Sequence, residues 1–185
     1  VTRPSRLRPD ELDPAGRRVY DAIASGPRAG SGLVNDDGSL RGPFDAMLRN
    51  PAVGEPLQAV GAALRYGGQL SDRARELVIL RVAGVRESGF ERATHEPIAR
   101  RAGLTDDELA ALAADAVVTW PDPVEDAADT AARTLLHHGP VDDDTYRAWV
   151  DVLGEARLVE VTALVGYYGL LADLLRVFTA EGSRR

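Results

Sequence analysis

Three histidines occur in the chain, His95, His137 and His138, and only the first stands where its neighbours could give it chemistry. Glu91 precedes it by four residues and Ser88 by seven, so all three side chains fall on one face of a helix. A carboxylate and an imidazole one turn apart can exchange a proton or hold each other in place for general acid–base catalysis. The same residues allow a plainer reading. Ser88-Gly89-Phe90-Glu91 is also a capping box, in which serine and glutamate satisfy backbone N–H groups and His95 is an ordinary core or surface residue. A further carboxylate, Glu76, directly precedes the apolar run Leu77-Val78-Ile79-Leu80. Burial there would tune it for proton transfer unless a cation answers it, and Arg73 or a neighbouring subunit's arginine are the competing partners. Glu76, Glu91 and His95 could together make a site of two carboxylates and one imidazole. Nothing in their spacing matches the zinc-binding H-E-x-x-H pattern, and no metal is expected.

The rest of the composition narrows the classes. The chain has 185 residues, 22 Lys+Arg against 29 Asp+Glu, and a formal charge of -7, which suits one domain of ordinary size. It has no cysteine. Thiol nucleophiles, cysteine-ligated zinc, iron–sulfur clusters and protein dithiol cycles are thereby excluded. An acidic balance argues against general nucleic-acid binding, which rests on neutralising phosphates. The longest apolar blocks are broken by Arg, Asp or Glu, so no membrane association is expected. Residues 1–9 are basic and lack the apolar core of a secretory signal; they read as a tethering arm or disordered tail, and the location as cytoplasmic.

To position these groups the chain offers helices, because apolar residues recur with the 3.6-residue period and no run alternates convincingly. The spacing predicts a first helix from about Asp10 to Ala24, on which Leu12, Val19, Ala22 and Ile23 form the stripe. Residues 26–43, with five glycines and a proline near each end, read as a structureless segment, either a candidate lid or a surface loop. Phe44–Leu48 predicts a helical turn, and Asn50 caps a helix that opens on Pro51 and runs to Tyr66 before Gly67-Gly68. Ser71 caps the next helix, so densely apolar over residues 77–83 that it must be buried on most sides. Its Arg73, Arg75, Glu76 and Arg81 then have to be paired or used. A short helix through His95 to Arg101 follows, then one capped by Thr105 and Glu108, then Val124 to His138, then one whose N-terminus is charged by Asp142-Asp143-Asp144, and a last helix from about Glu155 to Ala180. The wide apolar band of that last helix can face both its own core and a neighbouring subunit.

At these residues a family resemblance emerges. Leu70-Ser71-Asp72-Arg73-Ala74-Arg75-Glu76-Leu77-Val78-Ile79-Leu80-Arg81-Val82-Ala83, then Phe90-Glu91-Arg92-Ala93-Thr94-His95 and Ile98-Ala99-Arg100-Arg101-Ala102-Gly103-Leu104, resembles the carboxymuconolactone decarboxylase family, which also holds the AhpD-like alkylhydroperoxidases. The likeness extends to Gly42–Leu48 and to Leu164-Val165-Gly166-Tyr167-Tyr168. In the peroxidase branch the pattern is a glutamate, then C-x-x-C, then a histidine four residues on; Glu76 and His95 match, and the cysteine positions fall on Ser88 and Glu91. A hydroxyl and a carboxylate cannot form a disulfide, so peroxidase activity is not inherited. In the cysteine-free branch a glutamate four residues before the histidine is usual, and Glu91 fits it.

The resemblance implies an all-α, AhpD-like helical bundle, a single domain over residues 10–185 that forms trimers or hexamers. It implies a cofactor-free decarboxylation of a small lactone or keto acid, with His95 as proton donor or shuttle, Glu91 orienting it and Glu76 as second partner. Ser88, Phe44, Met47, Trp120 and Tyr168 are the candidate substrate-binding residues, the aromatic and Met positions reading equally as core. A hydrolase or isomerase using the same Glu/His pair is one alternative. Another is a catalytically silent helical oligomer that binds a small hydrophobic ligand or a partner protein. The expected partners are a small-molecule substrate and copies of the chain, with no nucleic acid, no membrane and no cofactor.

Overall fold

A proline with a short polar residue before it opens three of the α-helices among the described residues. Asp13 accepts from the Gly16 N–H at 2.7 Å to open α1 (Pro14–Ala24), and Asp122 caps α7 (Pro123–Leu136) through the N–H groups of Val124 and Glu125. Between them lie α2 (Phe44–Leu48), α3 (Pro51–Tyr66), α4 (Asp72–Val85), α5 (Gly89–Arg101) and α6 (Asp106–Ala113), and α8 (Asp143–Phe178) follows. The computed structural model describes residues 3–30 and 32–179, and among these the only β pairing is one antiparallel bridge, Val34 with Leu40. The expected all-helical class is therefore observed. Several ends differ from expectation. Residues Pro9–Glu11 form a separate 3-10 turn, because Asp13 is the better cap and Pro14 fixes the first helical residue; Leu12 lies outside α1. Asn50 stands at the cap position of α3 without a side-chain bond, its carbonyl instead accepting from Gly54 at 2.8 Å. Helix α7 ends at Leu136, and His138 takes the left-handed turn at φ 54° that closes it. Gly154, whose φ of 72° is open to glycine, breaks α8 into two helical stretches, which correspond to the expected helix after Asp142-Asp143-Asp144 and the expected last helix from about Glu155. The expected last residue, Ala180, lies outside the described residues.

The chain gathers into two compact units, the described residues of Val1–Gly67 with Asp173–Arg185, and Gly68–Ala172. In the first unit α1, α2 and α3 pack together, and Gly54 lets α3 approach the Met47 carbonyl more closely than any Cβ would allow. Residues 26–43 are not structureless. Ser39 donates from both N and Oγ to Asp37 Oδ1 (3.0 and 2.7 Å), Asn35 bonds Ser39 Oγ, and Tyr20 Oη bonds the Gly38 carbonyl at 2.8 Å, which builds a tight hairpin around a buried Leu40. The Ser39 hydroxyl, then its N–H, hold the Asp37 carboxyl below its ordinary range. The described part of the N-terminal segment is a tether: Leu7 N bonds Asp45 Oδ1 at 2.7 Å, Arg49 bonds the Ser5 carbonyl at 2.6 Å, and Arg3 bonds the Val177 carbonyl at 3.0 Å.

The second unit is organised around α4. It packs against α5, α6 and α7, and every residue from Ala74 to Ala83 is buried. Gly84 lies so close to the Leu112 carbonyl of α6 that no Cβ fits there. The charges of this helix are answered one by one. Arg81, fully buried, forks onto Asp129 at 2.7 and 2.9 Å, and Trp120 Nε1 donates to the same carboxylate at 2.8 Å. Arg73 spans Glu108 (2.6 Å) and Glu125 (2.9 Å) and donates to the Gly103 carbonyl, while Arg75 pairs with Asp72. Glu160 of α8 accepts from the N–H groups of Gln69 and Leu70 at 2.7 and 3.1 Å, fastening the turn that precedes α4. By length and composition alone α8 is long and apolar enough to cross a bilayer, with a mean hydropathy of 1.5 over an 18-residue window of which 50% is buried within the protein. A search for unbroken apolar residues passes over it, because the helix carries an occasional charge.

Removing one side of a buried ion pair leaves the other uncompensated, at about 3–5 kcal/mol. Asp129→Ala should lower the unfolding free energy by up to that amount in urea denaturation, since it leaves Arg81 only the longer 3.3 Å bond to Asp115 and strands the Trp120 N–H. Burial pushes the Glu108 carboxyl up, but the bonds from Arg73 and Thr105 outweigh it and hold the group below its ordinary 4.5. Its stabilisation is complete above the unfolded value and fades as pH falls through the lower folded one. The stability gap between wild type and Glu108→Gln should therefore narrow as urea midpoints are followed from neutral pH into the acid range.

Candidate functional site

Helix α4 closes in a left-handed turn at Glu87, φ 53°, where the N–H of Glu87 bonds the Gly84 carbonyl and that of Ser88 bonds the Ala83 carbonyl. Ser88 is then free to cap α5 with its side chain, and α5 folds back along α4. This return brings His95 to Glu76 across the helix pair.

The imidazole lies between two carboxylates. His95 Nδ1 is 2.6 Å from Glu76 Oε2, and His95 Nε2 is 3.6 Å from Glu91 Oε2. The three side chains are buried, with residue exposures of 4% for His95, 3% for Glu91 and 0% for Glu76. An ionised carboxylate only accepts hydrogen bonds, so with Glu76 charged the short contact requires the proton on Nδ1 and directs Nε2 toward Glu91. Tyr168 of α8 meets the imidazole edge to face at 5.3 Å and 87°, and Tyr167 meets Tyr168 in the same way at 5.5 Å. The wall on that side is therefore aromatic and fixed.

Both readings of Ser88 and Glu91 are partly present. Ser88 Oγ accepts from the Glu91 N–H at 3.5 Å, a long cap. The box is not closed, because the Ser88 N–H goes to Ala83 and the Glu91 carboxylate stands beside His95 instead. The geometry also exchanges two roles: the tight partner of His95 is Glu76, and Glu91 is the looser one. The sequence ranked them by spacing along one helix, whereas the short contact crosses between helices.

Trp120 is buried in the second unit, but its indole is engaged by Asp129 and lies 5.8 Å from the Arg73 guanidinium, in the ion-pair network of α4. Phe44 and Met47 are core residues of the first unit, Phe44 with the Arg28 guanidinium 5.4 Å from its ring centroid. Tyr167 is not singled out by the sequence as a site residue, since an aromatic in an apolar helix carries no mark that separates it from core. No group of three or more His, Asp or Glu among the described residues is arranged to hold a metal ion.

With this geometry the comparisons can be placed. The model of the carboxymuconolactone decarboxylase family matches residues 51–134, which include Glu76, Ser88, Glu91 and His95. Over that span the chain matches the family model, and it does so without a cysteine. Among solved structures, the chain is similar to a cysteine-to-alanine variant of the debrominase Bmp8 in complex with 2,3,4-tribromopyrrole. The two share 13% identity with a TM-score of 0.68, over 96% of this chain and 89% of that one, a likeness of fold. No curated protein matches the chain.

If Glu76 holds the Nδ1 proton, nitrogen NMR of neutral His95 should show a protonated Nδ1 and an unprotonated Nε2. Glu76→Gln should erode that preference; an Nε2-protonated ring in the wild type would mean that Glu76 is the donor.

Proposed function

We propose that this protein is a cofactor-free acid–base enzyme that decarboxylates a small lactone or keto acid. The buried contact of 2.6 Å between Glu76 and His95, with Glu91 on the other ring nitrogen, is the observation that carries the reading. The match to the carboxymuconolactone decarboxylase family model over residues 51–134 supports it, and the absence of cysteine directs it away from thiol chemistry.

The reaction needs three things from the chain: a dry environment for a carboxylate, stabilisation of the charge that develops, and a proton for carbon. The bond from carbon to the departing carboxylate breaks and carbon dioxide leaves. Its electron pair passes into the conjugated carbonyl to give an enolate. Carbon then takes a proton from His95 Nε2, and the ring is reprotonated from solvent. Glu76 offsets the charge on the ring while Nε2 carries its proton, and Glu91 and Tyr168 limit where the reacting carbon can stand. Ser88 is placed to bond a substrate oxygen near Glu91. A homo-oligomer and a cytoplasmic location belong to the same proposal; the exposed Val152, Val159 and Leu170 of α8 support the first.

Turnover of a panel of lactone acids and β-keto acids, followed by carbon dioxide release, tests the reading. His95→Ala should lose roughly 10²–10⁴-fold in kcat, as expected when a general acid is removed. Equal rates in a variant whose circular dichroism is unchanged would overturn it, and hydrolysis or isomerisation without carbon dioxide would move the same residues to another reaction.

A further inference from the structure

The segment between α1 and α2, which reads from sequence as a lid or a surface loop, encloses a cavity with the end of α1. Its volume is about 280 Å³, and its wall includes Ile23 and Ala24 of α1 and Leu33 and Val34 of the hairpin. The hairpin is tied, so this wall is preformed: Val34 pairs with Leu40, and the Arg41 N–H bonds the Leu33 carbonyl at 2.8 Å. Arg28 is the charged member of the lining and is only 5% exposed. Its Nη1 bonds Gln58 Oε1 at 3.3 Å, its Nη2 bonds the Gln58 carbonyl at 3.0 Å, and the guanidinium stands 5.4 Å from the Phe44 ring centroid. Both Gln58 oxygens are uncharged, so these bonds orient the guanidinium and leave its permanent positive charge at the wall. Gly30 and Gly32 complete the lining in left-handed backbone, with φ of 77° and 74°. A Cβ on either would meet no atom within 4 Å, so the mouth is open there. All of the lining precedes residue 51, outside the span of the family model.

We propose that this cavity is a second binding site, for a short-chain aliphatic carboxylate. It shares no residue with the histidine cluster and does not depend on the acid–base reading above. The charge selects the head group, because a carboxylate beside a guanidinium makes a charge-assisted bond that a neutral group of the same shape cannot match. Ile23, Leu33 and Val34 select the body, since they remove a hydrocarbon chain from water. The volume corresponds to about nine water-sized groups at ~30 Å³ each, which admits a chain of about six carbons and leaves no room for a long acyl chain.

Hexanoate is the probe, with hexanamide as its uncharged isostere and acetate as the head group without the chain. Binding to the full chain is followed by calorimetry and by the methyl resonances of Ile23, Leu33 and Val34. Wild type should bind hexanoate and shift those methyls, and should bind hexanamide and acetate at least about tenfold more weakly, as loss of the charge-assisted bond or of the buried chain predicts. Arg28→Gln should bring hexanoate down to the affinity of hexanamide. Because Arg28 also ties the loop to Gln58, a second variant leaves it in place: Ala24→Leu puts bulk into the cavity and should weaken hexanoate and hexanamide alike. His95→Ala should bind hexanoate as the wild type does, which separates this site from the candidate catalytic one. Hexanoate that fails to bind wild type, binds no better than hexanamide, binds Ala24→Leu equally well, or loses its affinity in His95→Ala would overturn the assignment.

Discussion

A helix buried on nearly every side cannot leave a charge unanswered, and α4 carries several. Its neighbours are arranged accordingly. The Arg81–Asp129 fork ties α4 to α7, and Trp120 completes the hydrogen bonding of the same carboxylate. Arg73 ties α4 to the starts of α6 and α7 through Glu108 and Glu125. Glu76 is answered by an imidazole rather than by a guanidinium, which turns a packing requirement into a group able to move a proton.

That difference separates the site from the rest of the network. A carboxylate locked to arginine faces a permanent cation, whereas one bonded to histidine faces a group that can give or accept a proton. The second carboxylate, Glu91, stands at 3.6 Å, farther than a direct hydrogen bond, and the Tyr168 ring closes one side. The cluster is thus tight on the Glu76 side and looser on the Glu91 side. That asymmetry suits general acid–base chemistry, in which one contact sets the ring's orientation and the other nitrogen carries the exchangeable proton.

The absence of cysteine takes its meaning from the same geometry. In the family pattern given by the sequence, the two cysteine positions correspond to Ser88 and Glu91. In the structure Ser88 caps α5 and Glu91 faces His95, so both substitutions lie in one buried neighbourhood. Where the pattern that the resemblance implies has a redox pair, this chain has a hydroxyl and a carboxylate beside the Glu76–His95 contact. A solved structure with the same fold, at 13% identity, is that of a debrominase, and a fold of itself specifies less than its site residues do.

Much of the fold was legible along the chain because its signals are local. Pro51, Ser71, Thr105 with Glu108, and the apolar run of α4 mark helices whose ends and burial follow from neighbouring residues. The triplet Glu76, Glu91 and His95 was legible too, from residue type and from spacing within α5. What the sequence could not decide was which carboxylate holds the ring, since Glu76 reaches His95 across nineteen positions of chain and only the return of α5 along α4 sets that distance. The hairpin of residues 26–43 escaped notice for a related reason: its order comes from Asp37, Ser39 and Tyr20 meeting in space, while glycine and proline content alone looks like loop. Residue identity determined which groups were available for proton transfer. Tertiary packing decided their pairing, because a hydrogen bond depends on tenths of an ångström that no spacing along the chain contains.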